Sequence, residues 1–428
     1  MQEPNYYGLK AGENPNPERR SRLEVEVKRF QDFEPALRSG GARLAAAFTL
    51  ALALGGCSPT LGPRGDLSPA APQTVSAATG GSTIGTGPVK VALIAPLTQN
   101  GNASVVGVSL RNAVDLAVSE TGANDITVLV KDDMSTPDGA RAATQAALGE
   151  GAELIIGPLF ANGVREAGRA ARAAGRPVIA FSTDSSVASR GVYLLSFLVE
   201  SYVDRIIEFA AQRGKKSVAA LVPENDYGNV ALGELQSAAA RAGMRVMAIE
   251  RYKPGNAQGA IQRIAALGDQ IDCLFIPEQA DAMPAIGKQI EQAKIDPRRV
   301  QILGTGLWND TRALGVPALQ GAWFSAPDNG GFNAFAARYR TKFNSDPTRL
   351  ATLAYDATTL AVALARSQGP ARYTDAVLTS PSGFNGADGV FRFRADGLNE
   401  RGLSVLQIGA GSTTVVSPAP HSFSGAPS

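Results

Sequence analysis

One histidine and two cysteines are all this chain offers of the side chains that most often serve as bases, thiol nucleophiles or metal ligands. His421 lies in the terminal segment PHSFSGAPS, and Cys57 and Cys273 stand far apart. A serine-hydrolase triad or a histidine metal cluster needs an imidazole inside the fold. Two thiols exclude a disulfide scaffold and a cysteine-based zinc site. Asp132 and Asp133 are adjacent at a strand end, so their side chains diverge and cannot form a shared dyad; capping the following loop is their expected role. Cys273 falls in an apolar strand without an imidazole to activate it, which reads as a buried, inert thiol. No catalytic set, metal site or cofactor is expected. Lys+Arg 41 against Asp+Glu 39 leaves a formal charge of +2, which provides no net field for nucleic acid.

The composition, 44% hydrophobic and 19% charged over 428 residues, supplies a full core and allows two or three domains. From residue 89 the chain alternates. Apolar runs rich in β-branched residues at 89–95, 126–130, 154–156, 177–181 and 192–197 read as buried parallel strands. Helical patterns separate them, one opened by Thr136-Pro137-Asp138 in a capping arrangement. A second series follows a helix at 201–212, with strands at 217–222, 245–249, 273–276 and 300–303, and a further one at 322–325. Such alternation predicts an α/β protein with two lobes, each a mostly parallel sheet flanked by helices. Ligands of open α/β sheets bind beyond the carboxyl ends of the strands. That rule selects the loops 159–162, 182–185, 224–227, 277–279 and 305–308.

The amino-terminal part reads as processing signal. Residues 44–54, LAAAFTLALAL, form an apolar run of 11 residues preceded by Arg38 and Arg43. A bilayer span needs about 20, so the run has the length of a signal-peptide core. Leu54-Gly55-Gly56-Cys57 follows and resembles a bacterial lipobox, in which small residues admit the peptidase and the thiol accepts the diacylglycerol. Ser58 after the cysteine implies release to the outer membrane. The preceding 43 residues carry 8 basic and 7 acidic side chains, far more than such a signal needs, so the start is expected downstream of Met1. Residues 58–88, rich in Pro, Gly, Ser and Thr, read as a flexible tether spanning roughly 30 Å root-mean-square. Its glycines make no phosphate loop, since no Gly-Lys-Ser/Thr follows them. The expected organisation is pre-sequence 1–43, signal and lipobox 44–57, tether 58–88, first lobe 89–200 and second lobe 201–327. Residues 328–417 return to the first lobe and supply carboxy-terminal strands, and 418–428 form a tail.

VALIAPLT at 91–98, KDDMSTPDGARAA at 131–143, AELIIGPL at 152–159, RPVIAFSTD at 176–184, PENDYGNVA at 223–231 and QILGTGLWND at 301–310 occur in order. Over roughly 89–366 this order resembles a type I periplasmic-binding protein of the leucine/isoleucine/valine-binding superfamily. The resemblance implies two hinge-connected lobes with a ligand cleft between them. A narrower resemblance is to the penicillin-binding protein activator lipoproteins. It rests on Pro96-Leu97-Thr98, Ile156-Gly157-Pro158-Leu159, Gly383-Phe384-Asn385-Gly386 and Arg401-Gly402-Leu403-Ser404-Val405-Leu406-Gln407. That last stretch also reads plainly as a hairpin strand at a lobe edge. Enterobacterial activators carry a large helical domain where this chain has only the tether.

The resemblance places a cleft at Phe160, Asn162, Ser182, Thr183, Asp184, Ser185, Tyr227, Glu278, Gln279 and Trp308. An amino acid there needs hydroxyls for its carboxylate and an acid for its ammonium, because an unpaired buried charge is expensive. Ser182, Thr183 and Ser185 suit the carboxylate, and Tyr227 would cover the ligand. The family's ammonium-binding acid would fall after strand 300–303, where this chain has Gly304-Thr305-Gly306-Leu307-Trp308. Asp184 or Glu278 would have to substitute, although Asp184 also reads as a turn or cap residue. Trp308 serves either the core or the cleft wall. Arg165 and Arg169 lie on one helical stripe with Arg172, read as a solvated face or a docking face. Two functions follow. The first is a lipid-anchored protein at the periplasmic face of the outer membrane that activates a bifunctional penicillin-binding protein in peptidoglycan synthesis. The alternative is the substrate-binding protein of an ABC importer for branched-chain or other amino acids, with a small-molecule ligand in the cleft.

Overall fold

Strand β2 (Val89–Ala95) shows why the first sheet is covered on both sides. Its Val91, Leu93 and Ala95 enter one core and its Ala92 and Ile94 the other, as a period of two requires. The computed structural model describes residues 82–121 and 124–423. The signal run, the lipobox with Cys57 and most of the tether lie outside the described residues. Before β2 comes β1 (Ser82–Ile84); after it come β3 (Thr98–Gln99) and β4 (Asn102–Ala103), a small hairpin, then β5 (Ile126–Asp132), β6 (Leu154–Ile156), β7 (Val178–Ala180) and β8 (Val192–Leu194). The first sheet runs β1-β5-β2-β6-β7-β8, parallel except for β1. Strand β1 corrects the tether boundary of 88: Ile84 is buried and the strand pairs antiparallel with β5. Three residues among glycines and serines are too few to show a period.

The second lobe holds β9 (Ser217–Pro223), β10 (Arg245–Tyr252), β11 (Cys273–Phe275), β12 (Gln301–Gly304) and β13 (Trp323–Ala326). A three-stranded antiparallel sheet follows, made of β14 (Phe384–Gly386), β15 (Gly389–Phe393) and β16 (Asn399–Arg401), and the described chain ends with β17 (Ser404–Gly409) and β18 (Ser412–Ser417). The second sheet runs β10-β9-β11-β12-β13-β17-β18, its last two strands antiparallel. The carboxy-terminal strands thus divide: β14–β16 stay with the first lobe, where Leu194 N donates to Gly397 O, and β17–β18 complete the second sheet. Helices Asn329–Phe343 and Ala351–Ser367 pack on helix Val105–Thr121 of the first lobe. The chain therefore crosses between lobes after β8, after β13 and after β16. Cys273 is fully buried, and desolvation pushes its thiol up to about 12, as expected of an inert thiol. The fold is α/β with mixed sheets flanked by helices. Among the described residues no helix is long and apolar enough to cross a membrane, and no group of three metal-ligating side chains forms.

Candidate functional site

Loops at the carboxyl ends of the parallel strands carry the polar groups that the sequence singled out. After β5, Asp132 accepts from Thr98 N (3.1 Å), Thr98 Oγ1 (2.6 Å) and Met134 N (2.8 Å), while Asp133 accepts from Ser135 N (2.8 Å). Both aspartates cap the loop and share no proton. They brace Met134 and Ser135, which hold φ of 51° and 57°, a left-handed conformation that non-glycine residues keep only when their surroundings enforce it. Burial pushes Asp133 up to about 6. Phe160, Met134 and Val105 are all exposed, the first two on loops and Val105 at the start of helix Val105–Thr121.

Asp184 is committed elsewhere. Its Oδ1 accepts from Ser186 N (3.0 Å) and caps a short helical turn, Ser185–Val187, and its Oδ2 accepts from Arg165 Nη2 (3.2 Å). Ser182 Oγ accepts from Asp184 N, and Arg165 also donates to Asn162 Oδ1 and Ser186 Oγ. Arg165, its side chain still half exposed, is therefore also a brace across two loops; the sequence spacing showed its stripe but not the loop folded against it. Arg169 bonds Glu166 on its own helix (2.9 Å) and keeps most of its side chain in solvent. Thr183 is exposed and Ser185 half-buried.

In the second lobe Tyr227 OH donates to Thr305 Oγ1 (2.8 Å), so the two cleft loops after β9 and β12 are tied together. Burial drives the Tyr227 phenol well above its ordinary value. Glu278 is buried: it accepts from Tyr252 OH and from Gln279 N (2.7 Å), which removes it as an ammonium partner. Gln279 itself is exposed. Trp308 is 0% exposed and packs in the second-lobe core with Leu274, Ile302 and Phe324. This corrects its placement on the cleft wall. The indole lies over Gly304, where a Cβ would come within 2.3 Å of the ring.

Two groups at the seam were not legible in the sequence. Glu200, in the first turn of helix Val199–Gln212, has its Oε2 shielded from solvent without a hydrogen-bond partner. It lies close enough to act electrostatically on Tyr227, as does buried Tyr202. Tyr202 is held against Gly306, whose Cβ would stand 2.5 Å from the ring. Gly306→Ala should push that ring aside and cost about 1–3 kcal/mol; an unchanged urea midpoint would contradict the tight approach.

The second group is a charge cluster at the crossings. Arg349 makes a bidentate pair with buried Asp388 (2.7 and 2.8 Å), its guanidinium 4.5 Å from the Phe197 ring and 4.7 Å from that of Phe332. Arg401, 8% exposed, donates from Nε to Ser196 O (3.1 Å) and lies 4.9 Å from the Phe197 ring, with Nη1 and Nη2 unpartnered. Asn399 donates to the same carbonyl. The third crossing is thereby stitched to the first. Desolvation pushes nearby Asp356 up from 3.8 to about 7, against the pull of Arg401. Its folded state binds the proton more tightly than its unfolded state, so the stability it contributes is complete below about pH 4 and is lost as pH rises through about 7. Asp356→Asn should consequently gain on the wild type between pH 5 and pH 8. Urea unfolding at the two values checks this, and a constant difference would refute it.

A family model described as periplasmic binding protein matches residues 88–413. No curated protein matches the chain by sequence. Among solved structures, a putative branched-chain amino acid ABC transporter from Rhodospirillum rubrum aligns with a TM-score of 0.69 at 17% identity, covering 77% of this chain and 99% of that one. A branched-chain amino acid transporter substrate-binding protein from Streptococcus pneumoniae, in complex with isoleucine, aligns with 0.54 at 20% identity, covering 77% and 99%. A solute-binding protein from Rhodopseudomonas palustris, in complex with 3,4-dihydroxybenzoic acid, aligns with 0.55 at 20% identity, covering 77% and 96%. At these identities the likeness concerns the fold. The family is described as one of periplasmic binding proteins, and the Streptococcus and Rhodopseudomonas neighbours are named as substrate- and solute-binding proteins. On the two lobes, the three crossings and a match over most of its length, the chain belongs to the periplasmic binding protein family.

Proposed function

We propose that this chain is a lipid-anchored binding-fold protein that activates a bifunctional penicillin-binding protein, with Cys57 as the acylated residue. The observation that carries this reading is the commitment of both substitute acids: Asp184 serves Arg165 and a cap, and Glu278 serves Tyr252. Neither is available to neutralise an ammonium. The segment 383–407, whose ending carries the resemblance to the activators, spans both lobes and belongs to the scaffold. A protein partner would then read a surface of the assembled fold. Arg169, mostly exposed, is the better probe of the proposed docking stripe, because reversing Arg165 would release two loops.

Pull-down of bifunctional penicillin-binding proteins from membrane extract, with a transpeptidation assay run with and without the protein, tests the proposal. Retention of a synthase and increased cross-linking are expected. Neither result with the wild type would end it. Arg169→Glu should weaken retention at low salt most, as rim charges act on association rate. Cys57→Ser should leave the membrane fraction, since stable anchoring needs several acyl chains.

The importer reading is favoured by one observation, the unpartnered Oε2 of Glu200 beside Tyr227. Under the activator reading, leucine, isoleucine and valine bind no tighter than millimolar, about −4 kcal/mol. Micromolar binding by calorimetry, abolished in Glu200→Gln, would replace the activator with the importer.

A further inference from the structure

A cavity of about 710 Å³ opens at the amino ends of β7 and β8, bounded by the end of helix Ala161–Ala173, the turns that enter the two strands, and residues 373–376. Its volume falls within the range of small-molecule pockets, about 300–1,000 Å³. It lies at the opposite end of these parallel strands from the loops where an open α/β sheet takes its ligand. Gly175 and Gly191 turn the chain along its edge with φ of 65° and 81°, and a Cβ on either would meet no atom within 4 Å. The mouth is open to solvent.

Three guanidiniums line this cavity against one carboxylate, Asp375. That carboxylate is already spent: Oδ2 accepts from Arg190 Nε and Oδ1 from the Tyr193 hydroxyl (2.8 Å). The bond uses only Nε of Arg190, so both its Nη groups stay available. Arg172 gives Nη2 to Ser189 Oγ (2.9 Å) and keeps its other donors. The Arg176 side chain has no hydrogen bond or ion pair among the described residues. Many arginines elsewhere in this lobe end on a carboxylate, as Arg366 does on Asp125 and Arg372 on Glu153. Here three cations face one anion, and two positive charges remain uncompensated. Charges of one sign gathered in a cleft concentrate the opposite ion there.

The remaining wall is apolar. Pro177, Val192 and Tyr373 form it, and the Tyr373 hydroxyl already donates to Ala361 O (3.0 Å). The wall therefore offers contact area without a polar handle. A ligand matched to both parts has a dianionic head on an apolar body. A phosphate monoester carries both charges on one group with three acceptor oxygens, and the planar fork of arginine suits phosphate in bidentate fashion.

We propose that this cavity binds an organic phosphate monoester, its phosphate accepting from Arg172, Arg176 and Arg190 and its body lying on Pro177, Val192 and Tyr373. The same head group occurs on soluble esters and on lipids. The site does not depend on what occupies the interlobe cleft.

Calorimetry on the detergent-solubilised full chain tests it, with phenyl phosphate as the probe. Phenyl phosphate should bind, with benzoate, inorganic phosphate and phenol each at least tenfold weaker. Arg172→Gln and Arg176→Gln, both at exposed positions, should each weaken binding at least tenfold while the unfolding midpoint stays put. Ala376→Trp fills the cavity from an exposed lining position and should abolish binding. Arg298→Gln, in the second lobe, should change nothing. Lowering the pH from about 7.5 to about 5 protonates the ester, whose second ionisation lies at about 6, and should weaken binding. Phosphatidic acid in the same micelles displacing phenyl phosphate would assign the head group to a lipid, and no displacement would assign it to a soluble ester; the site stands in both cases. No heat from phenyl phosphate at millimolar concentration would overturn the proposal. Equal loss in Arg298→Gln would reduce the effect to net charge and overturn it as well. Inorganic phosphate or benzoate binding as tightly as phenyl phosphate would overturn the ester assignment. A tetraglutamate peptide binding more tightly than phenyl phosphate would make the cavity a protein-docking surface, which also overturns it.

Discussion

Asp388→Ala should destabilise the folded unit by about 3 kcal/mol, the lower end of the cost of removing one partner from a buried ion pair, because Arg349 keeps a third of its side chain exposed. The carboxylate has no exposed side-chain surface and accepts from Arg349 through both oxygens and from Thr352 Oγ1. Without it, the Arg349 guanidinium keeps the faces of Phe197 and Phe332 and one hydrogen bond to Thr352 Oγ1 (3.1 Å), beside an Arg401 whose own Nη groups lack partners. Two like charges would then share the junction where the chain crosses between lobes. Removing both charges together, as in Arg349→Met with Asp388→Leu, should restore part of the loss, because apolar replacements of similar volume are often neutral or better. Equilibrium urea unfolding measures all three proteins. A loss below about 1 kcal/mol for Asp388→Ala would mean that the cluster is hydrated and contributes little.

Trp308→Ala should cost a similar amount, about 3–5 kcal/mol, as for other large aromatic-to-alanine changes in a core. The side chain fills the second lobe against Phe324 and Ile302 and lies over Gly304, which has no side chain to fill the hole. Trp308→Phe should be milder, since the indole Nε1 has no hydrogen-bond partner to lose. A wall residue behaves differently: its truncation would leave the unfolding midpoint nearly unchanged and alter only ligand binding. The pair of measurements therefore decides directly between core and cleft for this residue.

What was legible in the sequence was whatever depends on neighbours along the chain. Short β-branched runs separated by helical patterns are local, so the two α/β lobes could be anticipated, and the strand-end rule then named the loops. Asp132 and Asp133 cap the turn that follows them because an aspartate after a strand reaches only nearby amides. Cys273 is inert because its own strand is apolar. Even Asp184 as a cap is a local property, and its alternative use as a ligand acid failed for a local reason together with a distant one, Arg165.

Pairing across the fold followed no such rule. Arg349 and Asp388 are 39 residues apart, Tyr227 and Thr305 are 78 apart, and Arg401 meets Ser196 across 205. No periodicity connects such positions, because each side chain's partner is set by which loops the three crossings bring together. Glu278 illustrates the consequence: in sequence it was an acid at a strand end, and in the fold it is the buried acceptor of Tyr252. The sequence by itself determined the alternating elements, the lobes and the scarcity of catalytic side chains, all consequences of composition and short-range pattern. The tertiary structure alone decided which charges are spent and which stay free, because desolvation and long-range contact exist only once the lobes are assembled.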